Sequence, residues 1–180
     1  GLKEPKMNTD VILASSRLPD EGAEISKGAY LTEPGSYRIK GLNLEGVAIP
    51  HDRLGGRRFG KATIWRWKQG GLTFAHLGGS AGPLTGETKV LIGRPDVLII
   101  GVGGSAKVYN GIEAAAIVKE LNPKQIIPVQ YAKNNSASDC DQKGIEPFLE
   151  AMEGIPVKKT GRTLVIPERI NDKTVINILK

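Results

Sequence analysis

The chain has 180 residues, 39% of them hydrophobic, and carries a formal net charge of +6. That length suits one domain spanning residues 1–180, with enough apolar side chains to bury a core without disulfides or structural metal. The single cysteine, Cys140, excludes an internal disulfide and points to a reducing compartment. No apolar run reaches the roughly 20 residues that span a bilayer, and the opening Gly-Leu-Lys-Glu-Pro-Lys lacks a signal-peptide shape. A cytoplasmic, soluble protein with no membrane insertion is the expectation.

In chain order, Asp10-Val11-Ile12-Leu13-Ala14 is a short, partly β-branched apolar run of the kind that forms a buried strand. Gly35 to Pro50 reads as two strands broken at Gly41. Ala62 to Lys68 and Leu72 to Leu77 flank Gln69-Gly70-Gly71, whose adjacent glycines supply the positive φ angles of a tight hairpin. Arg53, Arg57, Arg58, Lys61, Arg66 and Lys68 form the densest basic cluster, with Trp65 and Trp67 inside it. Basic residues interleaved with aromatics can track a nucleic-acid backbone. The alternation of Ile64 to Lys68, however, favours an ordinary strand with one wet face, so nucleic acid is the disfavoured partner.

The rhythm then changes to alternating strand and helix. Val97 to Val102 and Gln125 to Val129 read as strands, and Gly111 to Leu121 and Lys143 to Met152 as helices. Asn110 is placed to cap the first helix and Asn122-Pro123 to stop it. Asn134 to Asp141 has loop composition, and Thr163 to Ile166 and Val175 to Leu179 read as closing strands. Hairpins followed by βα units predict an α/β chain of the α+β type.

Gly101-Val102-Gly103-Gly104-Ser105-Ala106-Lys107 gathers backbone amides and a lysine into a potential anion seat. Its spacing departs from the phosphate-loop pattern, so a small anionic ligand near Ser105 and Lys107 is favoured over a nucleotide. Cys140 lies between two aspartates with no base nearby, which argues against a nucleophilic thiol. No Gly-x-Ser-x-Gly marks a serine hydrolase.

Three segments carry a resemblance: Ala75-His76-Leu77-Gly78-Gly79, Asp96 to Gly104, and Pro123 to Tyr131. Together they resemble the C-terminal half of the metallo-β-lactamase superfamily, closest to the small cytoplasmic branch that includes the ascorbate-6-phosphate lactonases. The resemblance implies an αββα sandwich of two mixed sheets with helices outside. It also implies an opening β-hairpin whose end matches the position of Gly1, so the expectation is that the chain lacks those strands, is a fragment, or obtains them from another polypeptide. Exposed sheet edges would then invite a homo-oligomer or a partner chain supplying strands. In the competing arrangement Gly22 to Tyr30 folds back over the edge.

The family's metal loop, His-x-His-x-Asp-His, matches a segment in which Ser16, Leu18 and Glu21 stand at the histidine positions and only Asp20 survives. Ile49-Pro50-His51-Asp52 matches a later ligand and makes His51 the one histidine carried over. Gly79 stands where the bridging aspartate belongs and Gln130 where the last histidine belongs. Asp20, Glu21 and His51 are therefore the residual metal candidates. The reading is a homologue with a degraded metal site that acts in ligand binding or assembly and needs no cofactor. Its ligand-binding candidates are His76, Gly103, Gly104, Ser105, Lys107 and Gln130. The alternatives are a hydrolase of an ester, lactone or phosphoester using one zinc or manganese held by Asp20 and His51, and an anionic-surface binder using residues 53–68.

Overall fold

The computed structural model describes residues 8–18, 27–133 and 140–180. Strands β1 (Asn8–Leu13) and β2 (Lys27–Leu31) pair in parallel as a small sheet. The remaining strands are β3 (Gly35–Ile39), β4 (Leu42–Pro50), β5 (Lys61–Gln69), β6 (Leu72–His76), β7 (Val97–Gly101), β8 (Gln125–Val129), β9 (Val157–Lys159) and β10 (Val175–Ile178). They form one mixed sheet in the order β3-β4-β5-β6-β7-β8-β10-β9. Pairing is antiparallel from β3 to β6 and parallel from β6 onward. The helices are α1 (Gly86–Ile92), α2 (Gly111–Leu121) and α3 (Glu146–Ala151).

Alternation of side chains divides the large sheet into two covered faces. Ala62 and Ile64 of β5, Leu98 and Ile100 of β7, Ile126 and Ile176 pack with Ala114, Ala115, Val118 and Phe148 of the helices as one buried core. On the opposite face Thr63 and Trp65 meet the end of the small sheet. There the Trp65 indole N–H donates to the Ala14 carbonyl (2.9 Å), the Thr63 hydroxyl to the Thr32 carbonyl (2.7 Å) and the Thr63 amide to the Ser15 carbonyl (2.7 Å). The result is an α/β sandwich.

Local signals behave as the sequence suggests at the hairpins and at α2. Gly70 and Gly71 take φ angles of 57° and 78°. Asn110 accepts the Ile112 and Glu113 amides while Glu113 accepts the Asn110 amide, a complete capping box.

Three readings need correction. The β5 strand has no wet face over its first half, because it lies between β4 and β6 with helices on one side and the small sheet on the other; Trp65 is buried and Trp67 stacks on Phe74 with ring centroids 5.1 Å apart. That burial withdraws Trp65 from any base-stacking role. Thr163 to Ile166 forms no strand, because the free edge of β10 is taken by Val157–Lys159. The second helix begins at Glu146 rather than Lys143, whose backbone instead joins two loops by bonding the Gly103 carbonyl and the Ala132 amide. Finally, β2, α1 and β9 carry too little periodicity to be read beforehand. Lys27–Leu31 pairs with one edge of β1, while residues 22–26 of the fold-back arrangement lie outside the described residues. Among the described residues no helix is long and apolar enough to cross a membrane.

Candidate functional site

Strands β6, β7 and β8 run parallel, so their C-terminal ends open onto the same side of the sheet, the place where open α/β sheets present ligand-binding loops. Ser15, just past β1, joins this edge. Gly78, in the left-handed region at φ 60°, sits against it so closely that a Cβ would collide with the Ser15 side chain. The Gly79 amide donates to Ser15 Oγ (3.2 Å) and the Gly78 amide to His76 Nδ1 (2.9 Å).

These contacts enclose a pocket of about 290 Å³ lined by Ser15, Trp65, His76, Gly78, Gly79 and Gln130. His76 keeps some surface at the pocket, yet desolvation pushes its pKa down to about 4. With Nδ1 accepting a backbone proton, its neutral ring carries hydrogen on Nε2 and can donate it. Gln130 takes φ 50°, accepts the Gly103 amide on its carbonyl (3.0 Å), and holds its side-chain Oε1 buried with no hydrogen-bond partner among the described residues. Glycine at 101 makes room for that oxygen, since a Cβ there would lie 2.7 Å from it. Gly103 is equally constrained, because a Cβ would meet the Gln130 carbonyl oxygen and, at 2.7 Å, Tyr131 Cα.

The other candidates lie elsewhere. Ser105 and Lys107 do not line this pocket. The Ser105 carbonyl accepts Arg53 Nη1 (2.6 Å), its Oγ accepts the Lys107 amide (3.2 Å), and Lys107 Nζ lies 5.5 Å from the centre of the Phe59 ring. Gly104, at φ 71°, makes the turn between the two regions and donates its amide to the Tyr109 carbonyl (2.9 Å). Arg53 also grips Glu113 through Nε and Nη2 (2.8 and 2.6 Å) and the Val108 carbonyl (3.0 Å). The hydrogen bond from Arg53 holds the Glu113 pKa below its ordinary value, and Glu113 in turn raises that of Arg53.

His51 is fully buried, with its ring edge-on to Phe59 at 6.2 Å, and it is not among the residues lining the Gln130 pocket. Its neighbour Asp52 serves the fold. The carboxylate accepts the amides of Leu54 (2.8 Å) and Gly56 (3.1 Å) on Oδ1 and of Arg58 (3.0 Å) and Phe59 (2.8 Å) on Oδ2. Although burial opposes it, those four donors keep the carboxyl pKa below its usual range. Asp20 and Glu21 lie outside the described residues.

Among the described residues, the metal that the resemblance implies finds no suitable donor set. Among the described residues no three His, Cys, Asp or Glu side chains gather closely enough to hold a metal ion. On the strand ends, Gly79 has no side-chain donor and Gln130 offers only a neutral amide, a poor ligand for a divalent hydrolytic metal. Sequence reading missed Ser15, which has no motif of its own and matters only because β1 ends against Gly78. It likewise missed the Asp52 turn and the Arg53–Glu113 pair, for which Asp at a strand end followed by glycines was the one available signal.

The mixed sheet, its flanking helices and the pocket at the strand ends define an α/β sandwich protein. The family model described as the beta-lactamase superfamily domain matches residues 1–130, and the chain belongs to that family. Among solved structures it is similar to one described as a candidate Zn-dependent hydrolase of the metallo-beta-lactamase superfamily from Thermotoga maritima. Identity is 24% over 97% of this chain and 84% of that one, with a TM-score of 0.79. A candidate metal-dependent hydrolase from Parabacteroides distasonis has 15% identity over 82% and 73% of the two chains and a TM-score of 0.61. The metallo-beta-lactamase fold protein YhfI from Bacillus subtilis has 12% identity over 86% and 53%, with a TM-score of 0.53. No curated protein matches the chain.

Proposed function

We propose that this chain is a metallo-β-lactamase-fold protein that binds a small, uncharged, hydrogen-bonding ligand without hydrolysing it, in the pocket between Ser15, His76, Gly79 and Gln130. The observation that carries the reading is the buried Gln130 Oε1 without a partner. Leaving such an acceptor unpaired costs about 1–3 kcal/mol, which a ligand hydroxyl or amide donor entering the pocket recovers. Among the described residues the lining contains no charged side chain, and the one lone pair of the neutral His76 ring is taken by the Gly78 amide, so the chemistry available is hydrogen bonding rather than activation of water.

The test combines metal analysis of protein purified without chelator, turnover on phosphoester, lactone and β-lactam substrates, and thermal shift with neutral polyols and amides. The expected outcome is no stoichiometric zinc or manganese, no turnover above a heat-treated control, and a stabilisation by a neutral ligand that Gln130→Ala removes. The similar structures described as metal-dependent hydrolases favour a second reading. Near one equivalent of metal lost in His51→Ala, with hydrolysis abolished by Asp20→Ala, would establish that second reading and overturn the first.

A further inference from the structure

A second cavity, of about 450 Å³, lies at the far end of the large sheet, lined but for Gln125 by residues beyond those the family model covers, and apart from the Gln130 pocket. Its floor is the sheet face opposite the core, with Gln125, Val175 and Asn177 in a row and the Asn177 amide donating to Gln125 Oε1 (2.8 Å). Its roof is the connection from β9 to β10. Leu164, Ile166 and Ile170 of that segment line the cavity and are half-buried, while Val165 between them is 83% exposed.

Hydrogen bonds hold this connection at its ends. The Thr160 amide donates to the Ile178 carbonyl, the Lys180 amide to the Gly161 carbonyl and the Thr174 hydroxyl to the Pro123 carbonyl. Lys124 also pairs with Asp172 at 3.3 Å. Between Arg162 and Asn171 no hydrogen bond ties it to another described residue, so the roof can shift at small cost to admit a ligand.

Charge selects the class of ligand. Lys158, Arg169 and Lys173 line the cavity, none has an ion-pair partner among the described residues, and no carboxylate lines it. Asp172 is engaged by Lys124, and Glu168 is exposed outside the lining. An apolar roof over a cationic rim suits neither a bare anion nor a neutral hydrocarbon, since each leaves one half of the surface without a partner. We propose that this cavity binds a small amphiphilic anion, a carboxylate or phosphate carrying a short aliphatic chain. The chain would lie against Leu164, Ile166 and Ile170, and the head group would lie between Lys158, Arg169 and Lys173. Carboxylate and phosphate share this chemistry, and the binding assay separates them.

The experiment is calorimetric titration of the full chain at fixed ionic strength with octanoate, octyl phosphate, octan-1-ol and inorganic phosphate. At least one of the first two should bind about tenfold or more tightly than either octanol or phosphate, a difference well above measurement error. Lys158→Gln combined with Lys173→Gln should weaken that binding by about tenfold and leave the melting temperature of the free protein unchanged, since both side chains are exposed and unpaired. Ile166→Asp should weaken it as well, while Gln130→Ala should not, which separates this site from the pocket at the strand ends. Octanol binding as tightly as the amphiphiles, phosphate binding as tightly without a chain, indifference to the lysine pair, or no binding of either amphiphile would each overturn the proposal.

Discussion

The corner built on Asp52 and Arg53 and the pocket built on Gln130 flank the same loops yet treat polar groups in opposite ways. In the corner one carboxylate satisfies four backbone amides, and one guanidinium satisfies two carbonyls and a second carboxylate. Those charged groups are consumed by the fold. At the pocket, Gly78, Gly101 and Gly103 leave space that a Cβ would fill, and the Gln130 side chain retains an acceptor without a partner among the described residues. Charge at this corner therefore serves the fold, whereas spare hydrogen-bonding capacity is left at the pocket.

The largest test of that contrast is Gly103→Val. Its side chain would enter the space of the Gln130–Tyr131 backbone, and the loss should be about 3 kcal/mol by overpacking. Gly161→Ala, where a Cβ meets nothing within 4 Å, is the control and should be nearly silent. Denaturant melts of both variants check it, and equal stabilities would remove the claim that backbone approach shapes the pocket.

A second test uses pH. The folded pKa of His76, about 4, lies below its ordinary 6.5, so the neutral ring's contribution is fully present above pH 6.5 and is lost as pH falls through about 4. Allowing for the part of the side chain that water still reaches, about 2 kcal/mol should disappear across that interval. His76→Asn keeps an acceptor for the Gly78 amide but does not titrate, so its melting temperature should stay flatter between pH 6.5 and 4. Asp52 and Glu113 have depressed carboxyl values, so their contributions are present above the ordinary values of 3.8 and 4.5 and fall away only below them. Parallel profiles for wild type and variant would contradict the assignment of the buried neutral ring.

The smallest effect belongs to the corner. Arg53 is about one-third exposed, so screening reduces its pair with Glu113 and Arg53→Ala should cost only about 1 kcal/mol. Much of that cost should come from the Ser105 and Val108 carbonyls that lose a donor. A double-mutant cycle with Glu113→Gln measures the pair alone, and a coupling near zero would confine the role of Arg53 to those carbonyls.

Local chemistry made much of the molecule legible from its residues. Tight turns at Gly70-Gly71, the Asn110 cap and the apolar runs of β7 and β8 depend on neighbours within a few positions, and the superfamily framework rests on short motifs around such strands. Burial of Trp65, the fate of Thr163 to Ile166 and the late start of α3 depend on which edge or face another segment already occupies, and no local pattern records that. The candidate site divides in the same way. That Gly79 and Gln130 match ligand positions of the family is an expectation from the resemblance, read from sequence alone. Only the tertiary structure brought Ser15 and His76 beside them, placed His51 outside that pocket and left Gln130 Oε1 unpaired, because hydrogen-bond satisfaction is settled by the packing of strand ends far apart in the chain.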